Sequence, residues 1–318
     1  MKSSVWGIPY EIRPSKQVER RLVMETILLA RETGLRTRAM PFVGMGGVRF
    51  IDFLLAHKIL GTDKFVTLEH DETLWNRCEL NRPFESIELY KGSARDFLDE
   101  RRLDESSIVW FDLEKMASKD AKDDVVSAAT SVKPGSFLFV TATAEMPRHF
   151  DEFRKLEQRL AAVKAEFHPL AGQLPDAWVQ KNEFFRTSAY LAMAFLRFGF
   201  SGRSDGHFSP LVNIAYRDSN WMVTVGGFFG EKAIAMAIQK KVLESMPFLI
   251  GSTDGNPFSI EQFNMTDIER GLFDRAVSAL PRKKSAKNQI KSLGFRDSVY
   301  DQYRQLMRFI PRYVETAL

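Results

Sequence analysis

The stretch that decides the fold is Pro41-Phe42-Val43-Gly44-Met45-Gly46-Gly47-Val48. The apolar run Arg38–Val43 reads as a buried strand that ends in glycines. From Val48 to Leu60 the pattern turns helical, with Phe50, Phe53, Leu54 and Ile59 on the apolar side and Gly61 as the stop. Glycines between a strand and a helix permit a tight turn and let a ligand approach the backbone closely. The helix N-terminus behind them favours negative charge, a carboxylate included. By itself the turn is a weak signal, because any strand-to-helix connection can carry glycine.

Outward from that turn the same alternation continues. Lys64–Leu68, Ile87–Tyr90, Ser107–Phe111 and Phe137–Thr141 read as strands, with helices over Glu72–Leu80 and Asp120–Ser131 and a turn at Lys133-Pro134-Gly135. Strands alternating with helices imply a parallel sheet with right-handed crossovers. Their apolar runs lack polar alternation, as expected of strands covered on both faces. Upstream, Val18, Leu22, Ile27 and Leu28 mark a helix over Ser15–Thr33. Downstream, Arg148 to about Phe200 is helical, and Leu211–Tyr216 and Trp221–Phe229 form a hairpin around Arg217-Asp218-Ser219-Asn220. After Gly230 the pattern is helical to the end, broken near Gly251–Pro257 and at Pro281 and Pro311. The expected architecture is therefore α/β, a Rossmann-like, mostly parallel sheet with an antiparallel C-terminal hairpin. It divides into residues 1–230, with a helical insertion at about 148–206, and a helical, basic extension over 231–318.

Composition narrows the function classes. A 44% hydrophobic and 27% charged share is that of a globular chain, and no apolar run reaches the length of a membrane-spanning helix. The N-terminus lacks the apolar stretch of a secretory signal. The single cysteine, Cys78, excludes an internal disulfide framework and fits a reducing cytosol, so a cytoplasmic protein with no membrane partner is expected. The five histidines are scattered without metal-ligand spacing, which leaves no candidate metal site. Charge is uneven: Arg282, Lys283, Lys284, Lys287, Lys291, Arg296, Arg304, Arg308 and Arg312 face only Asp297 and Asp301. That excess is either a solvated helical face or a surface for a phosphate backbone, which makes nucleic acid a possible partner.

Four elements carry candidate chemistry. The first is the glycine turn itself, Gly44, Met45 and Gly46. The second is Glu69, which ends the second strand about 20 residues beyond it, where a carboxylate can accept from both hydroxyls of a ribose. Its neighbours His70, Asp71 and Glu72 also allow a plain solvated cap. The third is Gly92-Ser93-Ala94, which either lies along an adenine or caps a helix through the Ser93 hydroxyl. The fourth is Asp112, emerging at the carboxyl edge of the fourth strand, where it can hold a substrate amine or hydroxyl, take a proton, or pin the next loop. Glu114 is the weaker carboxylate there. Lys16 and Arg20 share a helix face, and pairing with Glu19 and Asp52 as surface ions is preferred over substrate contact.

Together, Val43-Gly44-Met45-Gly46, Glu69, Asn81 twelve positions later, the Gly-Ser-Ala turn, Asp112 and the Lys-Pro-Gly turn resemble the ordered motifs of class I S-adenosylmethionine (SAM) dependent methyltransferases. Arg13–Arg20 with FVGMGGVRFIDF, LGTDKFVTLEHD and NRPFESIEL further resembles a bacterial group of methyltransferases. The resemblance covers roughly residues 10–145 and extends plausibly to the hairpin. It implies SAM as cofactor, Gly44, Met45 and Gly46 by its methionine moiety, and Glu69 with His70 at the ribose. Ser93 and Ala94 would lie by the adenine, and Asp112 at the reacting end, touching the cofactor and serving as the catalytic carboxylate. The family usually carries an acid in the first strand before the glycines. Here Pro41, Phe42 and Val43 occupy that place, so contact to the methionine amine must come from elsewhere.

The resemblance implies a methyltransferase whose acceptor the sequence does not name. No Asp/Asn-Pro-Pro-aromatic sequence follows the fourth strand, and Cys78 sits in the helix after the second strand. Both points favour an oxygen or a non-standard nitrogen acceptor over a nucleobase. The alternative is a non-catalytic nucleic-acid or partner-binding module that keeps the fold. A nicotinamide dehydrogenase fits less well, because position 49 is arginine where GxGxxG needs glycine.

Overall fold

The computed structural model describes residues 13–100, 103–249, 256–261, 263, 265–278, 288 and 290–311. The strands are β1 (Phe42–Gly44), β2 (Phe65–Glu69), β3 (Ile87–Lys91), β4 (Ile108–Lys115), β5 (Ser136–Thr143), β6 (His207–Arg217), β7 (Trp221–Gly230) and β8 (Phe258–Ile260). They form one sheet in the order β3-β2-β1-β4-β5-β7-β6-β8. Only β7 runs against the rest: it pairs antiparallel with β5 and β6, and every other pairing is parallel.

The helices are α1 (Pro14–Leu29), α2 (Ile51–Leu55), α3 (Glu72–Asn81), α4 (Ala94–Asp99), α5 (Lys119–Ser131), α6 (Arg148–Asp151), α7 (Leu156–Glu166), α8 (Phe184–Ser201), α9 (Lys232–Ser245), α10 (Asp267–Ser278) and α11 (Asp297–Leu306). Strand residues alternate between two cores, as the period of two requires. Val43, Val109 and Leu138 join Phe97, Val125 and Phe195 on the face covered by α4, α5 and α8. Phe42, Ile108 and Phe137 join Leu22, Phe53 and Ile238 on the face covered by α1, α2 and α9. Among the described residues no helix is long and apolar enough to cross a membrane.

The expected alternation and the hairpin are present, with three local differences. The first strand begins at Phe42, not Arg38, because Thr37–Ala39 close a 3-10 turn and Pro41 has no amide to donate. The helix after it begins at Ile51, not Val48, because Gly47 and Phe50 take left-handed conformations (φ 51° and 50°). It then widens to a π-helical turn over Ala56–Leu60, which Gly61 ends as expected. The stretch after Gly230 is not helical throughout. Phe258–Ile260 forms β8 and extends the sheet beside β6, so the hairpin is covered at its outer edge.

Helix α1 is held from the far end of the chain. Pro14 occupies its first turn, and the amides of Ser15 and Lys16 both donate to the Asp218 carboxylate, each at 3.0 Å. A carboxylate at a helix N-terminus satisfies orphan amides and complements the dipole. The hairpin turn thereby fixes α1 beside the carboxyl edge of the sheet.

Candidate active site

The chain leaves β1 for β2 on one side and returns from β3 to β4 on the other. A crevice at such a switch point, at the carboxyl ends of the strands, is where open α/β sheets bind ligands. Gly44, Met45 and Gly46 lie at the end of β1, Glu69 ends β2 with His70 next to it, Ser93 and Ala94 follow β3, and Asp112 lies in the last half of β4. All the expected positions thus share one edge of four adjacent strands.

Close packing explains the glycine turn. A Cβ at Gly44 would stand 2.8 Å from the Trp110 carbonyl, so only glycine lets β1 lie this near β4. The Gly46 amide donates to Thr67 Oγ1 at 2.9 Å, and its carbonyl accepts from the Phe50 amide at 2.9 Å. Phe50 is fully buried in a left-handed conformation rare for an aromatic residue, one that persists only where packing over-determines it.

On the β2–β3 side the polar groups have local partners. Glu69 Oε1 accepts from the Asp71 amide at 2.8 Å, and its Oε2 receives the Cys78 thiol at 3.9 Å. Burial, then Glu69, pushes the Cys78 thiol up to about 11, so it stays protonated. A carboxylate has about four acceptor sites, so Glu69 keeps capacity for further donors. His70 is exposed, its Nδ1 4.0 Å from Glu69 Oε1. Ser93 makes a full capping box: its hydroxyl accepts from the Asp96 amide at 3.1 Å and donates to Asp96 Oδ2 at 2.6 Å. The helix cap left open by the sequence is therefore present, and Ala94 beside it is buried.

On the β4 side the arrangement is different. Lys16 Nζ lies 3.6 Å from Glu19 Oε2 and 3.7 Å from Asp112 Oδ2, over the faces of Trp110 (5.6 Å) and Tyr216 (5.5 Å). Arg20 Nε donates to Asp52 Oδ1 at 2.6 Å. The pairings of Lys16 with Glu19 and of Arg20 with Asp52 are those expected, but they are not surface ions: the side chains of Lys16, Glu19 and Arg20 are 5%, 0% and 2% exposed. Helix α1 lies against β6, β8 and α9, which covers the face a solvated helix would turn outward. Behind Glu19 runs a chain of hydroxyls. Thr224 Oγ1 donates to Glu19 Oε1 at 2.6 Å, Thr224 and Thr141 are 2.7 Å apart, and Trp110 Nε1 donates to Thr141 at 2.9 Å.

These charges set one another's protonation. Burial works against the Lys16 ammonium, but Glu19, Tyr216 and Asp112 outweigh it and hold its pKa well above the ordinary value. Burial raises the Asp112 carboxyl, partly opposed by Lys16. Burial likewise raises Glu19, again opposed by Lys16. Asp52 goes the other way, since Arg20 and Lys16 more than offset its burial. Lys16, Phe42, Met45, Asp52, Phe53, Trp110 and Asp112 line a narrow cavity of about 10 Å³ next to the glycine turn. Such a volume holds one water-sized group. Asp112 makes its ion pair with Lys16 and no hydrogen bond through its carboxylate among the described residues, and its side chain is 37% exposed. Sequence reasoning missed Trp110, Tyr216 and Asp52 as site residues. Only the spacing of Lys16 and Arg20 on one helix face signalled the cluster.

Of the basic C-terminal residues, Arg282, Lys283, Lys284, Lys287 and Arg312 lie outside the described residues. Lys291 pairs with Asp297 at 3.4 Å, and Arg308 with Glu25 at 3.3 Å.

Among solved structures, the chain resembles the plantazolicin methyltransferase BpumL in complex with SAH, at 9% identity over 68% of this chain and 85% of that one, with a TM-score of 0.39. It resembles the fibrillarin pre-rRNA processing protein of Methanococcus jannaschii at 12% identity, over 62% and 69% of the two chains, with a TM-score of 0.36. A SAM-dependent methyltransferase from Mesorhizobium loti matches at 15% identity over 36% and 51%, with a TM-score of 0.27. No curated protein sequence matches the chain. A family model described as "Putative O-methyltransferase" matches residues 8–318. The chain belongs to that O-methyltransferase family.

Proposed function

We propose that this protein is a cytosolic enzyme that transfers a methyl group from SAM to the hydroxyl oxygen of an acceptor, with Asp112 as the group that takes the acceptor's proton. The observation that carries the reading is the Asp112 carboxylate. It stands at the switch point between β1 and β4, beside the glycine turn, without a hydrogen bond among the described residues. Burial raises its proton affinity, which makes it a better base than a solvated carboxylate.

The donor set fits SAM. Glu69 has acceptor capacity left for ribose hydroxyls, with His70 at the rim. The close-packed turn at Gly44, Met45 and Gly46 offers backbone to the methionine end. Ser93 and Ala94 present a small, capped surface for the adenine. When bound, SAM supplies a methyl group already activated by its sulfonium. The protein's own task is then to position the acceptor oxygen, exclude water and remove one proton. The cavity wall of Phe42, Phe53 and Trp110 serves the exclusion.

Calorimetric titration with SAM and S-adenosylhomocysteine tests the donor. Both should bind, and Glu69→Ala should weaken SAM by about 1–3 kcal/mol, the scale of hydrogen bonds to a charged group. Absence of binding by either ligand at high micromolar concentration would sink the reading. An unchanged affinity in Glu69→Ala would remove Glu69 from the ribose.

A further inference from the structure

Two polar groups that line the switch-point cavity keep capacity for a ligand. The Lys16 ammonium has three donors: the Tyr216 hydroxyl is beside it, and its ion pairs with Glu19 and Asp112 span 3.6 and 3.7 Å, longer than the hydrogen-bond range of about 2.7–3.2 Å. The Asp112 carboxylate has acceptors to spare. A separation of 3.7 Å lets one oxygen atom sit within about 2.8 Å of both groups. The cavity that both line takes one water-sized group. A hydroxyl matches this pair, since it donates its single hydrogen and accepts through its lone pairs. An amine nucleophile does not match, because it gains positive charge as it is methylated, here against a fixed ammonium.

We infer that Lys16 is a catalytic residue that holds the acceptor oxygen through its ammonium, and that this contact restricts the site to acceptors presenting a hydroxyl. The inference rests on the reading of SAM as donor and Asp112 as proton acceptor. The acceptor's O–H proton passes to Asp112. The oxygen pair forms the bond to the methyl carbon as the carbon–sulfur bond breaks, its pair left on sulfur. The negative charge gathering on oxygen meanwhile faces the Lys16 ammonium, a preorganised charge on a buried side chain. The proton leaves Asp112 for solvent after the product departs. Lys16 is placed for this by its helix: its own amide is capped by Asp218, and its ammonium lies over the rings of Trp110 and Tyr216.

The test uses the full chain, methyl-labelled SAM and a cell extract as the source of acceptors, with labelled products sorted into O-methyl and N-methyl compounds by mass spectrometry. Deleting Lys16 alone would strand Glu19, so the variant is the pair Lys16→Met with Glu19→Gln. It should bind SAM within about threefold of wild type while O-methyl transfer falls at least about a hundredfold, the scale for losing one oxyanion donor. Transfer within about threefold of wild type would overturn the inference. So would an N-methyl compound as the main wild-type product, or a loss of SAM binding in the variant, which would assign Lys16 to the donor. Should that variant not fold, Lys16→Arg carries the test: a loss of about tenfold or more at unchanged SAM affinity is expected, and wild-type transfer overturns it. A wild-type protein that fails to bind SAM points instead to failure of the donor reading, on which the inference depends.

Discussion

The two halves of the site edge are built in opposite ways. Along β2 and β3 the candidate side chains find partners two or three residues away: Glu69 takes the Asp71 amide, and Ser93 closes a box with Asp96. Along β4 and α1 the partners come from across the chain. Arg20 meets Asp52 32 positions on, and Glu19 meets Thr224 205 positions on. The first half is local: its side chains are held by near neighbours in sequence, and Glu69 alone keeps spare acceptor capacity. The second is assembled only by the complete fold, buries Lys16, Glu19 and Arg20, and leaves Asp112 and Lys16 with unused capacity. The first has the character of a surface that receives a ligand of fixed shape, the second that of a place where charge changes hands.

That contrast predicts unequal costs of disruption. The largest stability effect should come from Arg20→Met, which leaves the half-buried Asp52 carboxylate without its guanidinium. A loss above about 1 kcal/mol, but below the ~3–5 kcal/mol of a fully buried pair, is expected by urea unfolding. The pH dependence has a definite sign. Asp52 has a folded pKa below its unfolded value of about 3.9, so the stability it contributes is present above that value and is lost as pH falls through the folded one. The gap between wild type and Arg20→Met should therefore be full near neutrality and narrow below about pH 4. A gap that stays constant to pH 2 would contradict the pairing. On the other half, Ser93→Ala removes one exposed cap and should cost about 1 kcal/mol. A loss as large as that of Arg20→Met would erase the distinction between the two regions.

Most of the first half was legible in the sequence. Gly44, Glu69 and Ser93 follow strands at recognisable spacing, and the strands themselves show as apolar runs. Much of the second half was not. The helical period of Val18, Leu22 and Ile27 marks one apolar face of α1 and leaves the charged face to be read as solvated, which is the ordinary fate of Lys, Glu and Arg. What buries that face is the β6–β8 edge and α9, more than 180 residues away in sequence. Strand β8 was unreadable for a related reason: three residues after a Gly- and Pro-containing break carry too little pattern to separate a strand from a loop. The hairpin showed by alternation, but the role of Asp218 in capping α1 did not, because a cap from another element leaves no local signature.

The central claim is a division of labour, with the β2–β3 side holding the donor and the β4–α1 side handling the acceptor oxygen. It is tested most directly by measuring SAM affinity and methyl transfer side by side for Asp112→Asn and Glu69→Ala. Asp112→Asn should bind SAM within about tenfold of wild type and lose about 10²–10⁴ in transfer, the range for a general base. Glu69→Ala should lose SAM affinity and, at saturating SAM, transfer close to the wild-type rate. The reverse pattern, with Asp112→Asn transferring normally and Glu69→Ala failing at saturation, would contradict the account.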